Sequence, residues 1–542
     1  MHVMVIRPGP TVRHLTGVVL VGLVLSSAAA AQGHTARARS SAPIVDRIEI
    51  DRESVFDSSE TTAWYARLAN ALHVTTRRSV VERELLFHAG EPFDSARVAE
   101  SARNLRRLGI FRAVRVDTVE TDSGIVARVV TRDAWTTRAY FSLSGSGGQV
   151  AYGLGLKESN LLGRFIQLRA TYRKEPDRST LQFSYDQPRL LASRIGLTTL
   201  YEHLSDGRHA GASLSWPFFS LSSTGAASVG GEWFDGRVLR YFGGERVASD
   251  SVQRRFAIGR LGVARALRAD ERGYLRVGLE AQLRREDYVP ESFTGVIPRT
   301  ITGAVVLYAE ASRARFAIVR NFRSLSPDED VDLSSTVRVG VGVAPAAWGY
   351  ERTGVGPQLA AHTGVRFPGG FAILDAAATP LFGSAGLDSG TFTAAGTAVL
   401  QPTARQSAVV HLDVGREVNP APGAEFDLGL ERGPRAFPAH AFTGDRSFFT
   451  MAEYRWIAVP DLAGLGSIGL AAFADYGGAW YGGSPWRTGK DFGVGLRLGS
   501  HRISSVRSAA RIDIARRVGN GVERGSWVLV VGSGFPFEAL QP

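Results

Sequence analysis

From Tyr140 onward, apolar and polar residues alternate with a period of two along most of the chain. In YLRVGLEAQLRRE, from Tyr274 to Glu286, one phase is apolar and the other is mostly charged or polar. Because successive side chains of a β-strand point to opposite faces of a sheet, this pattern predicts strands with one apolar face. A soluble sandwich also alternates, but over fewer strands. Alternation that persists over so many strands is typical of a transmembrane antiparallel β-barrel, with its apolar face towards lipid and its polar face towards the lumen.

The candidate strands between Tyr140 and Phe537 number about twenty, an even number, as bacterial outer-membrane barrels require. Backbone groups in lipid have no water to bind, so the sheet must close on itself. We therefore expect a barrel over residues 139–537. The last strand places Trp527, Phe535 and Phe537 on one phase, and aromatic residues at the end of a lipid-facing strand fit an interfacial girdle.

The first residues of the chain predict export. Arg7 and Arg13 precede an apolar run from Leu15 to Leu25, and small residues follow as far as Ala31. A basic region, a short apolar region and a small-residue cleavage site make residues 1–31 a signal peptide, with an uncleaved anchor as the alternative. The run is too short to span a bilayer, and no later run reaches the length that a transmembrane helix needs.

Composition and motifs argue against chemistry on substrates. The chain has no cysteine, which excludes disulfides, thiolate metal sites and a cysteine nucleophile. Its net charge of +11 is spread along the chain rather than gathered in a patch, so we expect no nucleic acid among its partners. The motifs of metalloproteases, phosphate-binding loops and serine hydrolases are missing. The acidic stretch from Ser326 to Asp332 lacks the spacing and the glycine of a calcium loop and predicts a solvated turn entering a strand. We expect no catalytic residue, no metal and no cofactor.

Residues 43–133 predict a small α+β domain. A strand at Ile44–Ile50 precedes an amphipathic helix at Thr61–Leu72, two further helices, the second beginning near Asp94, and a hairpin around Thr121–Gly124. Such a module exposes sheet edges that can accept an extended peptide, although it can equally be a spacer that holds the barrel.

Several segments resemble a known family. RELLFHAGEPFD and NLRRLGIFRAVRV resemble a polypeptide-transport-associated (POTRA) domain. GLGLKESNLLGRFIQLRATY resembles the second and third strands of the BamA/TamA family of outer-membrane assembly factors, also called bacterial surface antigens. PRAFPAHAFTGDRSFFTMAEYRW resembles the long sixth loop of that family and the strand after it, and AAFADYGGAW and DFGVGLRLGS resemble strands near its end. The resemblance implies a barrel of 16 strands, five of which follow the loop. This total is smaller than the count of about twenty strands made directly from the sequence.

The resemblance also implies a latch inside the lumen. In that family the sixth loop folds into the barrel, and the arginine of an Arg-Gly-Phe/Tyr motif meets acidic groups on the wall. The matching residues are Arg435, Ala436 and Phe437, with alanine where the family has glycine, which matters if the position needs a positive φ. Strand phase independently turns Glu453 and Asp475 inward, and these residues match the acids of the family. The alternative is a solvated loop arginine above a wet pore.

The family implies a protein of the bacterial outer membrane, with the POTRA-like domain in the periplasm, that assists insertion, assembly or translocation of other proteins. Its implied partners are unfolded outer-membrane or secreted polypeptides, outer-membrane lipid and periplasmic accessory proteins. A weak seam between the first and last strands is part of this reading, with Gly145 and Gly147 on one side and Trp527, Phe535 and Phe537 on the other. The alternatives are a two-partner-secretion-type transporter or pore that exports a polypeptide, and a structural barrel whose N-terminal domain tethers a partner.

Overall fold

In a computed structural model, the chain forms an N-terminal α+β module followed by a closed β-barrel. The structure describes residues 43–57, 61–62, 64–146, 149–175, 177–242, 245–247, 252–290, 300–325, 329–350, 352–420, 423–429, 432–463, 465–500, 509–518, 527–533 and 535–537. The predicted signal peptide, residues 1–31, lies outside these ranges. Within them, no helix is long and apolar enough to cross a membrane.

The N-terminal module is a three-stranded sheet with three helices. In chain order its elements are β1 (Val45–Glu53), α1 (Trp64–Leu72), α2 (Arg78–Glu84), α3 (Ser95–Arg107), β2 (Phe111–Thr121) and β3 (Gly124–Asp133). β3 is the central strand, parallel to β1 and antiparallel to β2. The Asp94 side chain accepts hydrogen bonds from the backbone N–H groups of Ala96 and Arg97, which caps α3 where the sequence predicts its start. The elements follow the expected order, and the POTRA assignment stays a prediction.

The rest of the described chain is almost entirely β-strand. Its first strands are β4 (Thr137–Ser146), β5 (Gln149–Glu158), β6 (Gln167–Lys174), β7 (Ser179–Gln187), β8 (Gly196–Leu204), β9 (Gly207–Trp216), β10 (Gly225–Val238), β11 (Tyr241–Phe242), β12 (Glu245–Arg246), β13 (Val252–Asp270), β14 (Gly273–Pro290), β15 (Thr300–Arg313), β16 (Phe316–Val319) and β17 (Glu329–Asp332). The others are β18 (Ser335–Ala344), β19 (Gly354–Phe367), β20 (Gly370–Ala378), β21 (Leu381–Gly383), β22 (Gly386–Thr403), β23 (Gln406–Val418), β24 (Phe426–Leu428), β25 (Phe442–Gly444), β26 (Arg446–Leu462), β27 (Gly466–Trp480), β28 (Gly489–Ser500), β29 (Ala510–Val518) and β30 (Trp527–Ser533). Short 3-10 turns lie at Leu161–Gly163, Leu190–Ala192 and Ala346–Trp348.

The barrel strands form one closed antiparallel sheet in which β30 returns to pair with β4. The pairs β11–β12, β16–β17 and β24–β25 are separate hairpins in the connections. β20 and β21 both lie between β19 and β22, so together they occupy one strand position of the barrel. The described sheet has twenty such strand positions. The direct count of about twenty is confirmed, whereas sixteen is too few for this chain. Five strands follow the connection between β23 and β26, as expected. The strands in excess of sixteen therefore precede this connection.

The barrel turns its apolar phase outward. On β14, the side chains of Leu275, Leu279 and Leu283 are exposed, whereas Arg276 between them is buried. On β26, Tyr454 and Trp456 are exposed and Glu453 is buried. The alternation of the sequence therefore separates an apolar outer surface from a polar interior, as a barrel in lipid requires.

The N-terminal module contacts successive turns at the end of the barrel where β4 begins. The backbone N–H of Arg77 donates to the carbonyl oxygen of Gly163, in the turn between β5 and β6 (2.9 Å). Arg189, in the turn between β7 and β8, forms an ion pair with Glu84 of α2 (2.6 Å). Burial raises the pKa of the Glu84 carboxyl, and the charge of Arg189 opposes that rise.

Helix α3 makes the next two contacts with the barrel. The Glu100 carboxylate accepts a hydrogen bond from the backbone N–H of Leu221, between β9 and β10 (2.7 Å). Burial raises the pKa of Glu100, and this hydrogen bond opposes the rise. Arg106 binds both carboxylate oxygens of Asp330, on β17 (2.7 and 2.9 Å). The module is thus attached to the mouth of the barrel through several polar contacts in separate turns.

Substitution of an outward leucine tests the assignment of the lipid face. We expect Leu279→Arg, in the middle of the apolar run on β14, to lower the free energy of unfolding in lipid vesicles by about 2–4 kcal/mol. A matched control, Gln282→Arg on the inner phase of the same strand, should change it by about 0.5 kcal/mol or less. Urea titrations followed by tryptophan fluorescence measure both values, and equal losses would contradict the assignment.

Candidate functional site

The connection between β23 and β26, residues 419–445, folds into the barrel, and we call it the inward loop. Its β24–β25 hairpin carries a tip, Gly433–Phe437, that is buried throughout. Gly433 has a φ of +100°, a left-handed conformation that glycine adopts without strain, and it begins the turn at this tip. The ring of Phe437 lies 5.1 Å from that of Phe442 in the same loop, and both are nearly inaccessible to solvent.

Arg435 is fully buried at the tip and binds three carboxylates on three strands. Its Nε and Nη2 donate to the two oxygens of Asp475 on β27 (2.7 and 3.1 Å). Its Nη1 donates to Glu453 on β26 (3.0 Å) and to Asp513 on β29 (3.2 Å). The guanidinium carbon lies 3.7 Å from the centre of the Phe473 ring. The structure therefore brings Arg435 together with both acids named from the sequence, and the alternative of a solvated arginine is excluded.

Further arginines extend this network along the wall. Arg497 of β28 binds both oxygens of Glu453 (3.0 and 2.8 Å) and one oxygen of Asp513 (2.5 Å). Arg455 of β26 binds Glu453 through its Nε (2.6 Å). Because Glu453 and Asp513 each face more than one guanidinium and Asp475 binds Arg435, the buried charges are compensated by one another rather than by water.

The sequence analysis missed Asp513 and Arg497, although strand phase contains the signal. In ARIDIARRV of β29, the apolar Ile512 and Ile514 are exposed and Asp513 between them is fully buried. Gly495 of β28 stands opposite, and a Cβ there would lie 2.0 Å from the Asp513 Oδ1 atom. Small residues on one strand therefore provide the room for charged side chains on the next.

Ala436 follows the bound arginine and occupies the position where the family has glycine. It is not among the described residues with positive φ, so alanine is compatible with its backbone conformation. Its N–H donates to Asp491 (3.0 Å), and its carbonyl oxygen accepts from Arg517 (2.6 Å). Its methyl group packs in a cluster that includes Val528 and Val530 of β30. The tip of the inward loop therefore contacts the last strand of the barrel.

The first and last strands are joined weakly. Among the described residues, β30 pairs with β4 at one position, Val530 opposite Ser144, whereas the ladder between β26 and β27 runs along nearly their full length. Gly145 pairs with β5 next to this position, and Gly147 lies outside the described residues. Trp527 is exposed on the outer phase of β30, as predicted. We call the junction of β30 with β4 the seam.

The positions of Phe535 and Phe537 correct the sequence analysis. We expected both on the lipid-facing phase and at the seam, but each is 2% exposed inside the barrel. Their rings are stacked 5.1 Å apart, and Phe537 also stacks on His411 of β23 (3.8 Å). β30 ends at Ser533, so the alternation of a strand no longer applies to the residues that follow it. The described end of the chain is therefore part of the lumen packing.

A second inward segment, the β16–β17 hairpin between β15 and β18, was not predicted. Its Phe322 packs edge-on against Phe371 of the wall and lies 5.8 Å from Phe535. The carboxylate of Glu329 accepts hydrogen bonds from the backbone N–H groups of Phe322, Arg323 and Ser324. Burial raises the pKa of Glu329, and these hydrogen bonds oppose the rise. Glu329 thus holds the hairpin together. It lies in the acidic stretch predicted as a solvated turn entering a strand, where Asp330 and Asp332 are exposed and residues 326–328 lie outside the described residues.

The inward segments leave a large cavity beside them. It has a volume of about 1850 Å³ and lies between α3 and the sheet of the N-terminal module on one side and the wall from β14 to β23 on the other. Arginines and carboxylates from both sides line it, including Arg103, Arg276, Arg338, Glu310 and Asp375. Within the described residues, no group of three or more histidine, aspartate or glutamate side chains is arranged to hold a metal ion. The lining suits water or a polar extended chain.

Removal of the Arg435 guanidinium tests how much this group contributes to the stability of the barrel. We expect Arg435→Met to lower the free energy of unfolding by about 3–5 kcal/mol, because three buried carboxylates lose a shared partner. The exposed Arg432, in the same loop, is the matched control, and Arg432→Met should change stability by about 0.5 kcal/mol or less. Urea unfolding in vesicles measures both, and a small effect at Arg435 would argue against a tight latch.

Substitution of Ala436 gives a second test, because its two possible outcomes change the stability of the chain in opposite directions. Because its φ is not positive and its methyl group is buried, we expect Ala436→Gly to destabilise the chain by about 1–2 kcal/mol. Restoring the glycine of the family would instead stabilise the chain if alanine strained this backbone. The same urea titration distinguishes these outcomes.

Comparison with known proteins finds no matching family model and no matching curated protein. Among solved structures, the chain is similar to BamA from Haemophilus ducreyi lacking POTRA domains 1–3, at 11% identity and a TM-score of 0.38, over 91% of this chain and 84% of that one. It is also similar to CdiB from Escherichia coli, at 11% identity and a TM-score of 0.47, over 91% of this chain and 77% of that one. CdiB from Acinetobacter baumannii matches at 11% identity and a TM-score of 0.42, over 90% and 73%. Because these TM-scores are below 0.5, the fold is assigned from the strand pairing of this chain and not from these similarities.

Proposed function

We propose that this chain is an outer-membrane protein that assists the insertion, assembly or translocation of other polypeptides, with its N-terminal module in the periplasm. The observation that carries the proposal is the seam, where the described backbone pairing of β30 with β4 is limited to one position, Val530 opposite Ser144. Elsewhere the ladders are long, so the sheet opens with least loss of backbone hydrogen bonds at this junction.

An opened seam offers a binding edge to an unfolded client. Unpaired N–H and C=O groups along β4 and β30 are costly in lipid, because no water is present to satisfy them. An extended client segment can pair with such an edge and add to the sheet by β-augmentation. The client thereby acquires strand structure in the plane of the membrane, which requires no catalytic residue, metal or cofactor.

The latch controls how firmly the last strand is held. Arg435 connects β26, β27 and β29, and Ala436 packs on Val528 and Val530 of β30. The loop tip therefore stabilises β30 from inside the barrel, where β4 contributes little. Displacement of the tip would free β30 while the long ladders keep the remaining wall closed.

Export of a polypeptide through the lumen is the second candidate. The cavity of about 1850 Å³ between the N-terminal module and the wall favours it, because it opens a polar path on the module side. A chain that passed through the lumen would have to displace the β16–β17 hairpin and the residues around Phe535, which pack together there. The insertion reading needs no such displacement, and we therefore prefer it. Clients, outer-membrane lipid and periplasmic accessory proteins remain its proposed partners.

A reversible lock across the seam separates these readings. The chain lacks cysteine, so Val530→Cys with Ser144→Cys places one pair of thiols at directly opposed positions. In vesicles that contain the protein, we expect oxidation to stop the folding of an added unfolded outer-membrane protein, and reductant to restore it. Acquisition of protease resistance by the added protein measures its folding.

A disulfide in a long ladder is the control for oxidation itself. Val410→Cys with Ala452→Cys joins opposed residues of β23 and β26, away from the seam. We expect this pair to leave client folding unchanged. Full activity of the oxidised seam variant would refute opening at the seam and favour passage through the lumen.

A further inference from the structure

Helix α1 presents its large apolar side chains to the outside of the molecule. Trp64, Leu68 and Leu72 recur every four residues on one face, and they are 69%, 50% and 66% exposed. The opposite face is small, and there Ala66 is fully buried against Val55 and Phe56. A helix that only completed the module would turn its large apolar residues inward, so this face is built for another surface.

The described residues beside this face include three exposed arginines. No acidic residue occurs in α1, and Arg67 is exposed at the margin of its apolar face. Arg77, shortly after the helix, and Arg164, in the turn between β5 and β6, are also exposed. The carboxylates of Glu53 and Asp57, which precede the helix, form ion pairs with Arg132. An apolar face flanked by cations matches the interface of an anionic lipid leaflet.

The segment that follows α1 contacts the barrel next to an exposed apolar surface. Five residues after the helix ends, the Arg77 backbone binds Gly163 and its Nε donates to the carbonyl oxygen of Leu162, at the rim of the barrel. Leu162 is itself exposed, and the exposed Leu156 and Leu168 continue the apolar surface onto β5 and β6. The segment that follows the helix thus contacts the turn between β5 and β6, where this apolar surface reaches the rim of the barrel.

We infer that α1 is an interfacial helix whose Trp64–Leu68–Leu72 face enters the adjacent leaflet of the membrane beside the strands next to the seam. Tryptophan is favoured at this depth, where its ring is apolar and its N–H can reach water or a headgroup. The inference rests on the proposed membrane location and is independent of the proposed action on clients. Its consequence is that the module is held to the barrel and to lipid together, and that the leaflet is disturbed close to the seam.

Fluorophores at single cysteines test the depth of the helix, because the natural chain has no cysteine. The full chain carrying Leu68→Cys or Leu72→Cys is labelled with an NBD dye and inserted into vesicles of phosphatidylethanolamine and phosphatidylglycerol. We expect spin-labelled lipids to quench both dyes at least twofold, and shallow spin labels to quench more than deep ones. Leu168→Cys on the outer face of β6 is the positive control, and Val119→Cys, 57% exposed near the far end of β2, is the negative control.

The controls make each outcome decisive. Dyes at Leu68 and Leu72 as unquenched as the dye at Val119, with Leu168 quenched, would overturn the inference and leave the membrane barrel intact. An unquenched dye at Leu168 would overturn the membrane location and the inference with it. Concentration-dependent shielding of Leu68 in detergent, without quenching in vesicles, would assign the face to a second copy of the chain. Weaker quenching when phosphatidylcholine replaces phosphatidylglycerol, and loss of that difference in Arg67→Gln, would support the role of the flanking cation.

Discussion

Backbone N–H and C=O groups beside an apolar outer surface must be paired within the protein, and the architecture of this chain satisfies that constraint. Twenty strand positions meet this requirement by closing into one sheet. In long ladders, such as that between β26 and β27, nearly every backbone position is paired. At the seam it is met with least margin, since Val530 opposite Ser144 is the one described pair there. In the described residues, the backbone pairing of the closed sheet is therefore shortest at this junction.

The interior compensates for this weak junction. Arg435 is held by carboxylates on β26, β27 and β29, and the adjacent Ala436 packs against β30. Because these charges are withdrawn from water, loss of one partner leaves another buried charge uncompensated, so the contacts depend on one another. Arg455 extends it towards the β16–β17 hairpin by donating to the carbonyl oxygen of Phe322 (2.8 Å). Asp330 of that hairpin in turn binds Arg106 of the N-terminal module, so one chain of contacts links the module to the loop tip.

The N-terminal module contacts the barrel through polar groups, and among the described residues it leaves the apolar face of α1 exposed. Its polar contacts to successive turns, among them Glu84 with Arg189 and Glu100 with Leu221, hold it at the mouth of the barrel. The apolar face of α1 instead points away from the protein. The cavity lies between module and lumen, so a polypeptide that approached the barrel from this side would meet both the sheet of the module and the polar wall.

The sequence by itself determined the closed barrel, the outward phase of strands such as β14 and β26, and the inward direction of Glu453 and Asp475, because strand periodicity is a local property that a pleated backbone imposes on every residue. Arg435 could be assigned to the latch only through the resemblance, since a lone loop arginine carries no periodic signal. The alternation of β28 and β29 also indicates that Arg497 and Asp513 point inward. It does not indicate their partners, because those are distant in the chain. Only the tertiary structure decided that Phe535 and Phe537 enter the lumen and that the β16–β17 hairpin joins them. Once a strand ends, side-chain direction depends on the room inside the barrel, and that room is set by residues from many strands at once.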